Sequence, residues 1–156
     1  MSVQSYGILL YRYVDGQLQV LLVHPGGPLW QDKDMGAWSI PKGIGAVDEA
    51  PLAAARREFE EETGYAVDGA FIALGALRMK SGKIVHAWAL EGDLDVAGIR
   101  SNTFTLEWPR HSGRFGEYPE IDAGRWFTLV AARQWMSVSQ TGFLDRLQAA
   151  LEDVEA

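Results

Sequence analysis

Cysteine is absent from this 156-residue chain, which removes disulfides, thiolate metal sites and a cysteine nucleophile. Histidine is scarce. His24, His86 and His111 have no metal-ligand spacing, and no Ser–His–Asp arrangement is evident, so each histidine is expected to be structural or on the surface. Positive charge is also short: 14 Lys and Arg stand against 21 Asp and Glu, for a net charge of −7 and a pI near 4.9. A protein that coats nucleic acid is usually basic, so no nucleic-acid polymer is expected as a partner. A small anionic substrate remains compatible, because it needs only a local cation. No apolar run is long enough to span a bilayer, and no membrane partner is expected. The opening residues Met1-Ser2-Val3-Gln4-Ser5 lack a basic segment ahead of an apolar one, so the expectation is no signal peptide and a cytoplasmic location. There is no internal repeat and no low-complexity stretch.

The rest has the composition of a globular protein, 47% hydrophobic and 22% charged, and its length suits one domain over residues 1–156 with one core. Residues 5–13 and 18–23 read as strands joined by a tight turn at Asp15-Gly16. Their near-continuous apolar character implies a sheet covered on both faces. Residues 24–36 read as a loop, and Ala37 to Ile40 as a short strand. Residues 49–63 read as a helix, with Asp48 as its cap, Pro51 in its first turn and Gly64 at its stop. Strands are expected near 70–78 and 83–90 around a turn at Ser81-Gly82. Residues 91–123 read as irregular, with one strand at 103–108. A strand near 124–128, a short helix near 129–136 and a last helix over 139–154 complete the chain. That last helix has Phe143, Leu147, Ala150, Leu151 and Val154 at helical spacing. Strands interleaved with helices define an α/β or α+β layered fold.

The stretch Arg56-Arg57-Glu58-Phe59-Glu60-Glu61-Glu62-Thr63-Gly64 carries the chemistry. At about 100° per residue, Glu61 lies about −60° and Glu62 about +40° from Glu58, while Glu60 points nearly opposite. Leu52, Ala55 and Phe59 share the adjoining sector, so that flank is built for burial. Ala50 and Ala54 lie on the glutamate side and leave room for a ligand. Like charges at these spacings destabilise a helix by a few tenths of a kcal/mol per pair, more beside an apolar flank. Arg57 can pair with Glu61, but one cation does not neutralise three carboxylates. A hard divalent cation bound through oxygen does, and carboxylates are the ligands Mg²⁺ prefers. The plainer alternative is a solvated acidic face.

These residues resemble the Nudix hydrolase family, whose signature is G-x5-E-x7-R-E-U-x-E-E-x-G-U with U a bulky apolar residue. Gly43, Glu49, Arg57-Glu58, Phe59, Glu61-Glu62, Gly64 and Tyr65 occupy those places. Seven fixed residues at roughly one in fifteen each match by chance about once in a hundred million starts. The flanks agree, with Trp38-Ser39-Ile40-Pro41-Lys42-Gly43 leading into the box and a Trp126-Phe127 strand followed by a helix near the end.

The resemblance implies an α/β/α sandwich around a mixed sheet. It implies Mg²⁺ or Mn²⁺ as cofactor and hydrolysis of a nucleoside diphosphate linked to another moiety. By position, Glu58, Glu61 and Glu62 would be metal ligands, joined by the Gly43 carbonyl. Arg57 would orient them, and Glu49 would brace the loop. Many members add a later carboxylate six residues before a tryptophan. Glu120 stands there, with Glu107, Glu117 and Asp122 as rivals. The general base would be Glu61, Glu62 or Glu120, with Glu61 ranked first. Lys42 adjoins the box and can reach a phosphate. Arg78, Lys80 and Lys83, and farther on Arg110 and Arg114, are further cations. Trp38 is a candidate substrate platform, among Trp30, Trp88, Trp108, Phe115 and Tyr118.

Lys42 replaces a frequent first glycine, and Ala46 a frequent further glutamate. Both changes lead away from mutator-type specificity. Trp-x-x-Pro-Lys-Gly resembles members acting on diadenosine polyphosphates or inositol pyrophosphates, and the segment from Ser101 to Arg114 resembles bacterial proteins described as NTP pyrophosphohydrolases. Two alternatives to an enzyme stand: a Nudix-fold binding or sensor module without turnover, and an acidic structural domain. A small-molecule nucleotide is the expected partner. A homodimer is compatible with the sequence, but nothing marks an interface.

Overall fold

A computed structural model describes residues 3–155, apart from the side chains of residues 154 and 155. The expectations for Met1, Ser2, Ala156 and the Val154 side chain lie outside the described residues. The strands are β1 (Gln4–Val14), β2 (Gln17–Pro25), β3 (Lys42–Ile44), β4 (Ile72–Arg78), β5 (Ile84–Glu91), β6 (Thr103–Glu107), β7 (Phe115–Pro119) and β8 (Ile121–Thr128). The helices are α1 (Pro51–Thr63), α2 (Leu129–Trp135) and α3 (Gly142–Glu155).

The main sheet runs β4-β5-β1-β2-β8, with β3 added to β1. It is mixed: β1 and β5 are parallel and the other pairs antiparallel. Alternation along β1 sends its side chains to two cores. Leu9 and Tyr11 join Val20, Leu22, Phe127, Phe143 and Leu147 under α2 and α3. Ile8 and Leu10 join Leu21, Leu90, Ala55 and Phe59 under α1. Both faces are covered, which explains the continuous apolar runs, and the fold is the expected α/β/α sandwich.

One break in the sheet positions the site. β1 pairs with β2 only from Tyr11 to Val14; along the same edge, Ser5 to Gly7 pair with β3 instead. Beyond Val20, β2 leaves β1, keeping its pairing with β8. The segment 39–44 fills the wedge. Ser39 exchanges backbone hydrogen bonds with Val23 at 2.8 and 3.0 Å, and the Ile8 N–H donates to the Pro41 carbonyl at 3.2 Å. Lys42 and Gly43 are thereby fixed beside α1.

Several sequence expectations hold. Asp15 and Gly16 both have positive φ, 51° and 79°, as a tight hairpin turn demands. Gly64 ends α1 with φ 80°, its N–H on the Glu60 carbonyl. Phe143 and Leu147 are fully buried. Others are corrected. Residues 37–40 form no strand, only isolated bridges, because Ser39 bridges Val23 of β2 while Trp38 bridges Met136, so no two successive pairs share a partner. Asp48 does not cap α1. It sits at φ 63°, and Ala50 takes the cap position with no side-chain bond, Pro51 needing no N–H partner. Residues 91–123 are more ordered than expected. They hold a 3-10 turn at Val96–Gly98, the β6–β7 hairpin and the first residues of β8, which starts at Ile121 rather than 124. Ala54 leaves no room above α1, since it is fully buried and packs toward Gly45.

Candidate active site

Fully buried Ala55 and Phe59 anchor α1, and this burial, roughly 2–3 kcal/mol for Phe59 alone, offsets the cost of crowding glutamates on the same helix. Arg57 organises them. Its Nε and Nη2 donate to the two oxygens of Glu49 at 2.8 and 3.0 Å. Its Nη1 donates to Glu58 Oε1 at 2.9 Å and to both Glu61 oxygens at 3.0 and 3.1 Å. Nη2 also reaches the Ile44 carbonyl at 3.1 Å, tying the helix to the loop after β3. Glu49 in turn accepts the Ala46 N–H at 2.9 Å. Arg57 hydrogen bonds hold the Glu49 carboxyl down at about 2, and Glu49 first among its partners raises the guanidinium above its usual range.

Three carboxyls, those of Glu62, Glu58 and Glu120, are shifted the opposite way. Burial, against a hydrogen bond from the Lys42 N–H, pushes the Glu62 carboxyl up to about 8, with the charges of Glu58 and Glu120 adding to the rise. Glu58, 12% exposed, is raised first by burial, then by Glu61 and Glu120, against the pull of Arg57. Glu120 is raised by burial and by the charge of Glu61. The Lys42 ammonium is lowered by burial and by Lys83, and Glu62 and Glu58 partly restore it.

Glu120 therefore stands among the box glutamates, although 58 residues separate it from Glu62 (120 − 62). Its rivals are engaged elsewhere. Glu107 accepts the N–H groups of His111 and Gly113 in the hairpin turn, Glu117 bonds Thr103, and Asp122 meets His24 Nδ1 at 2.8 Å. Lys42, Glu62 and Glu120 line one cleft of about 320 Å³, together with Trp30 and Gln140. A larger hollow of about 520 Å³ lies on the outer side of α1, between Arg56, Glu60, Glu61 and Asn102. It is lined by Glu61 and Arg57 but by no lysine, whereas the smaller cleft brings Glu62 and Glu120 together with Lys42.

Two expected substrate contacts are not brought together with these groups. Trp38 is 4% exposed. Its ring packs on Phe127 and its Nε1 donates to Asp34 at 2.6 Å, so it offers no open face. It is a core residue because the wedge segment turns it under α2. Arg78 ends the edge strand β4 and lines none of these cavities. Sequence reasoning missed Ser39, Ser137 and Gln140 in the cleft lining. Gln140 is buried, accepting the Ile40 N–H and donating to Ser39 Oγ. Nothing in the order of residues connects positions 101 apart.

Among the described residues, no group of three or more His, Asp or Glu is arranged to hold a metal ion directly. Arg57 takes oxygens of both Glu58 and Glu61. The donor chemistry nonetheless fits a hard cation: oxygen ligands only, and carboxyls whose burial, and then their mutual charge, raises their affinity for positive charge. Backbone lies close to them. A Cβ on Gly43 would fall 1.9 Å from Glu58 Oε2. Gly43→Ala should thus push Glu58 aside, leaving the fold intact because a carboxylate end can move. Mn²⁺ titration by calorimetry should show about 10-fold weaker binding, and unchanged affinity would refute this account of Gly43.

Glu62 gives a stability prediction for metal-free protein. Its folded-state pKa, about 8, exceeds the ordinary 4.5, so the native state binds more protons between those values. Stability therefore falls as pH rises from about 4.5 through about 8. Glu62→Gln removes that loss while keeping an acceptor for the Lys42 N–H. With EDTA at pH 8 the variant should melt higher than wild type by about 5 °C, and at pH 4.5 the gap should close. A gap that does not depend on pH would contradict the assigned shift.

The chain matches the family model described as the NUDIX domain over residues 3–148. It belongs to that family, and the intact box puts it in the class of Nudix pyrophosphohydrolases. Similar solved structures include the NUDIX domain of Shewanella oneidensis NrtR complexed with ADP ribose, with a TM-score of 0.68, 16% identity, and coverage of 97% of this chain and 89% of that one. A C. elegans Ap4A hydrolase binary complex has a TM-score of 0.66 and 20% identity, covering 96% and 98%. A MutT protein from Methanosarcina mazei Go1 has 0.62 and 19%, covering 96% and 94%. At these identities the likeness speaks for the fold. No curated protein matches the sequence.

Proposed function

We infer that the protein, acting as one domain, hydrolyses a phosphoanhydride in a nucleoside diphosphate-linked substrate, with Mg²⁺ or Mn²⁺ as cofactor. The observation that carries this reading is the convergence of Glu58, Glu62 and Glu120, from two distant parts of the chain, beside a cleft lined by Lys42. Glu58, Glu61, Glu62 and Glu120 would hold the ion, with the Gly43 carbonyl beside Glu58. Bound there, it would neutralise charge on the diphosphate oxygens.

The protein's own groups supply the rest. Lys42 binds a phosphate of the substrate. Arg57 orients Glu58 and Glu61 through its hydrogen bonds. Glu61, whose side chain is 36% exposed and doubly bonded to Arg57, has access to water and takes the proton of the attacking molecule. The alternative of a binding module without turnover is disfavoured by the intact box. Relatives of similar fold bind ADP ribose or are Ap4A hydrolases by name, which points to the same ligand chemistry.

The test is incubation with Mg²⁺ and a panel of nucleoside triphosphates, dinucleoside polyphosphates, nucleotide sugars and dinucleotides, with products identified. Turnover of at least one is expected, and the products name the bond cut. Tight binding with no turnover of any would establish the sensor module instead.

A further inference from the structure

The large aromatic side chains differ in what they can offer a ligand. Trp38 is buried in the core, and Trp88 packs into the cluster beneath α1. Trp126 lies under the Arg12 guanidinium, 4.1 Å from its ring centre. Trp108 is exposed, but it stands at the hairpin turn and outside the lining of the cleft. Trp30 alone among the described tryptophans both lines the cleft and keeps 38% of its surface exposed.

The loop that carries Trp30 is tied down at three points. The Gly26 N–H donates to the Glu120 carbonyl at 2.9 Å, and the Gly36 N–H to the Trp135 carbonyl at 2.9 Å. Between them His24 bridges the Lys33 carbonyl and the Asp122 carboxylate with its two ring nitrogens. The backbone of Glu120 and the loop of Trp30 therefore form one hydrogen-bonded unit. An aromatic wall is held in place relative to the acid, so little ordering is needed on binding. Lys33 lies over the Trp30 ring, its Nζ 5.1 Å from the ring centre, and lines a separate hollow with His24 and Asp122. Ser39, Ser137 and Gln140 line the cleft with polar groups.

We propose that Trp30 is the binding residue for the nucleobase: the base stacks on its ring while the diphosphate runs toward Lys42 and the box glutamates. This rests on the hydrolase reading above. The cleft is near the lower end of the usual ligand-pocket range of roughly 300–1,000 Å³. It takes one nucleoside, and the moiety on the far side of the diphosphate extends into solvent.

The experiment compares wild type, Trp30→Ala and Trp30→Phe, each checked by thermal melting, in the presence of Mg²⁺. Calorimetry measures binding of α,β-methylene ADP and, as a probe without a base, inorganic tripolyphosphate. Steady-state kinetics follow for whichever nucleotide is turned over. Trp30→Ala should weaken the nucleotide about 10-fold or more and leave tripolyphosphate within about 2-fold, with Trp30→Phe recovering most of the loss. KM should rise far more than kcat falls. Unchanged nucleotide affinity in Trp30→Ala overturns the proposal, and so does an equal loss of both probes. Wild type that binds the nucleotide yet hydrolyses none would end the hydrolase reading while Trp30 is still judged by the binding data. Wild type that binds no nucleotide overturns both.

Discussion

Glu61→Gln should lower turnover by about 10²–10⁴-fold, the usual worth of a positioned general base. The substitution is nearly isosteric. It keeps one carbonyl oxygen for Arg57 Nη1 and exchanges the other for an amide nitrogen that cannot accept. The fold should survive, because α1 is anchored on the opposite flank by Ala55 and Phe59 and not by this side chain. Relief of like-charge repulsion with Glu58 and Glu120 should raise the melting temperature without metal. Single-turnover kinetics combined with circular dichroism make the measurement. A pH–rate profile separates the roles. Loss of the acid limb marks a base, whereas a lower rate restored by excess Mn²⁺ marks a ligand. Wild-type turnover in a folded variant would remove Glu61 from the machinery altogether.

Arg57→Ala should follow closely, with about 10- to 100-fold loss in metal affinity and in kcat/KM, the range found when a group that orients ligands is removed. The guanidinium bonds Glu49, Glu58 and Glu61 and the Ile44 carbonyl at once, so one truncation frees a carboxylate on the loop, two on the helix and the contact between them. Arg57→Lys should recover only a small part. An ammonium is a point donor and cannot span the two Glu49 oxygens while also reaching Nη1's partners. Mn²⁺ calorimetry and steady-state kinetics on the same preparations check the result. If the lysine variant matched wild type, charge alone would matter and the bonded network would not.

Much of the fold was legible because it follows from local rules. Continuous apolar runs in β1 and β2 required two covered faces, and positive φ at Asp15-Gly16 and Gly64 followed from turn and cap chemistry. Residues 37–40 had strand composition, yet no free edge was available to them beyond single bridges to β2 and Met136. Asp48 had the chemistry of a cap, but Ala50 and Pro51 began the helix two residues later. The β6–β7 hairpin was half seen, since Phe115–Pro119 is short, polar in part and identified as a strand only by its pairing with Thr103–Glu107.

The box itself belongs to sequence. The spacing of Glu58, Glu61 and Glu62 sets their angular sector on any α-helix, and Arg57 lies one turn before Glu61. The reaction class follows from the match of that order to the Nudix signature. What surrounds the box was decided by tertiary structure. Glu120 joins the glutamates, Trp38 disappears into the core, and Trp30 reaches the cleft, because β1 and β2 part and the wedge between them directs which side chains meet. Distances along one helix are dictated by its pitch, whereas meetings across the sheet depend on long-range pairing that no local pattern encodes.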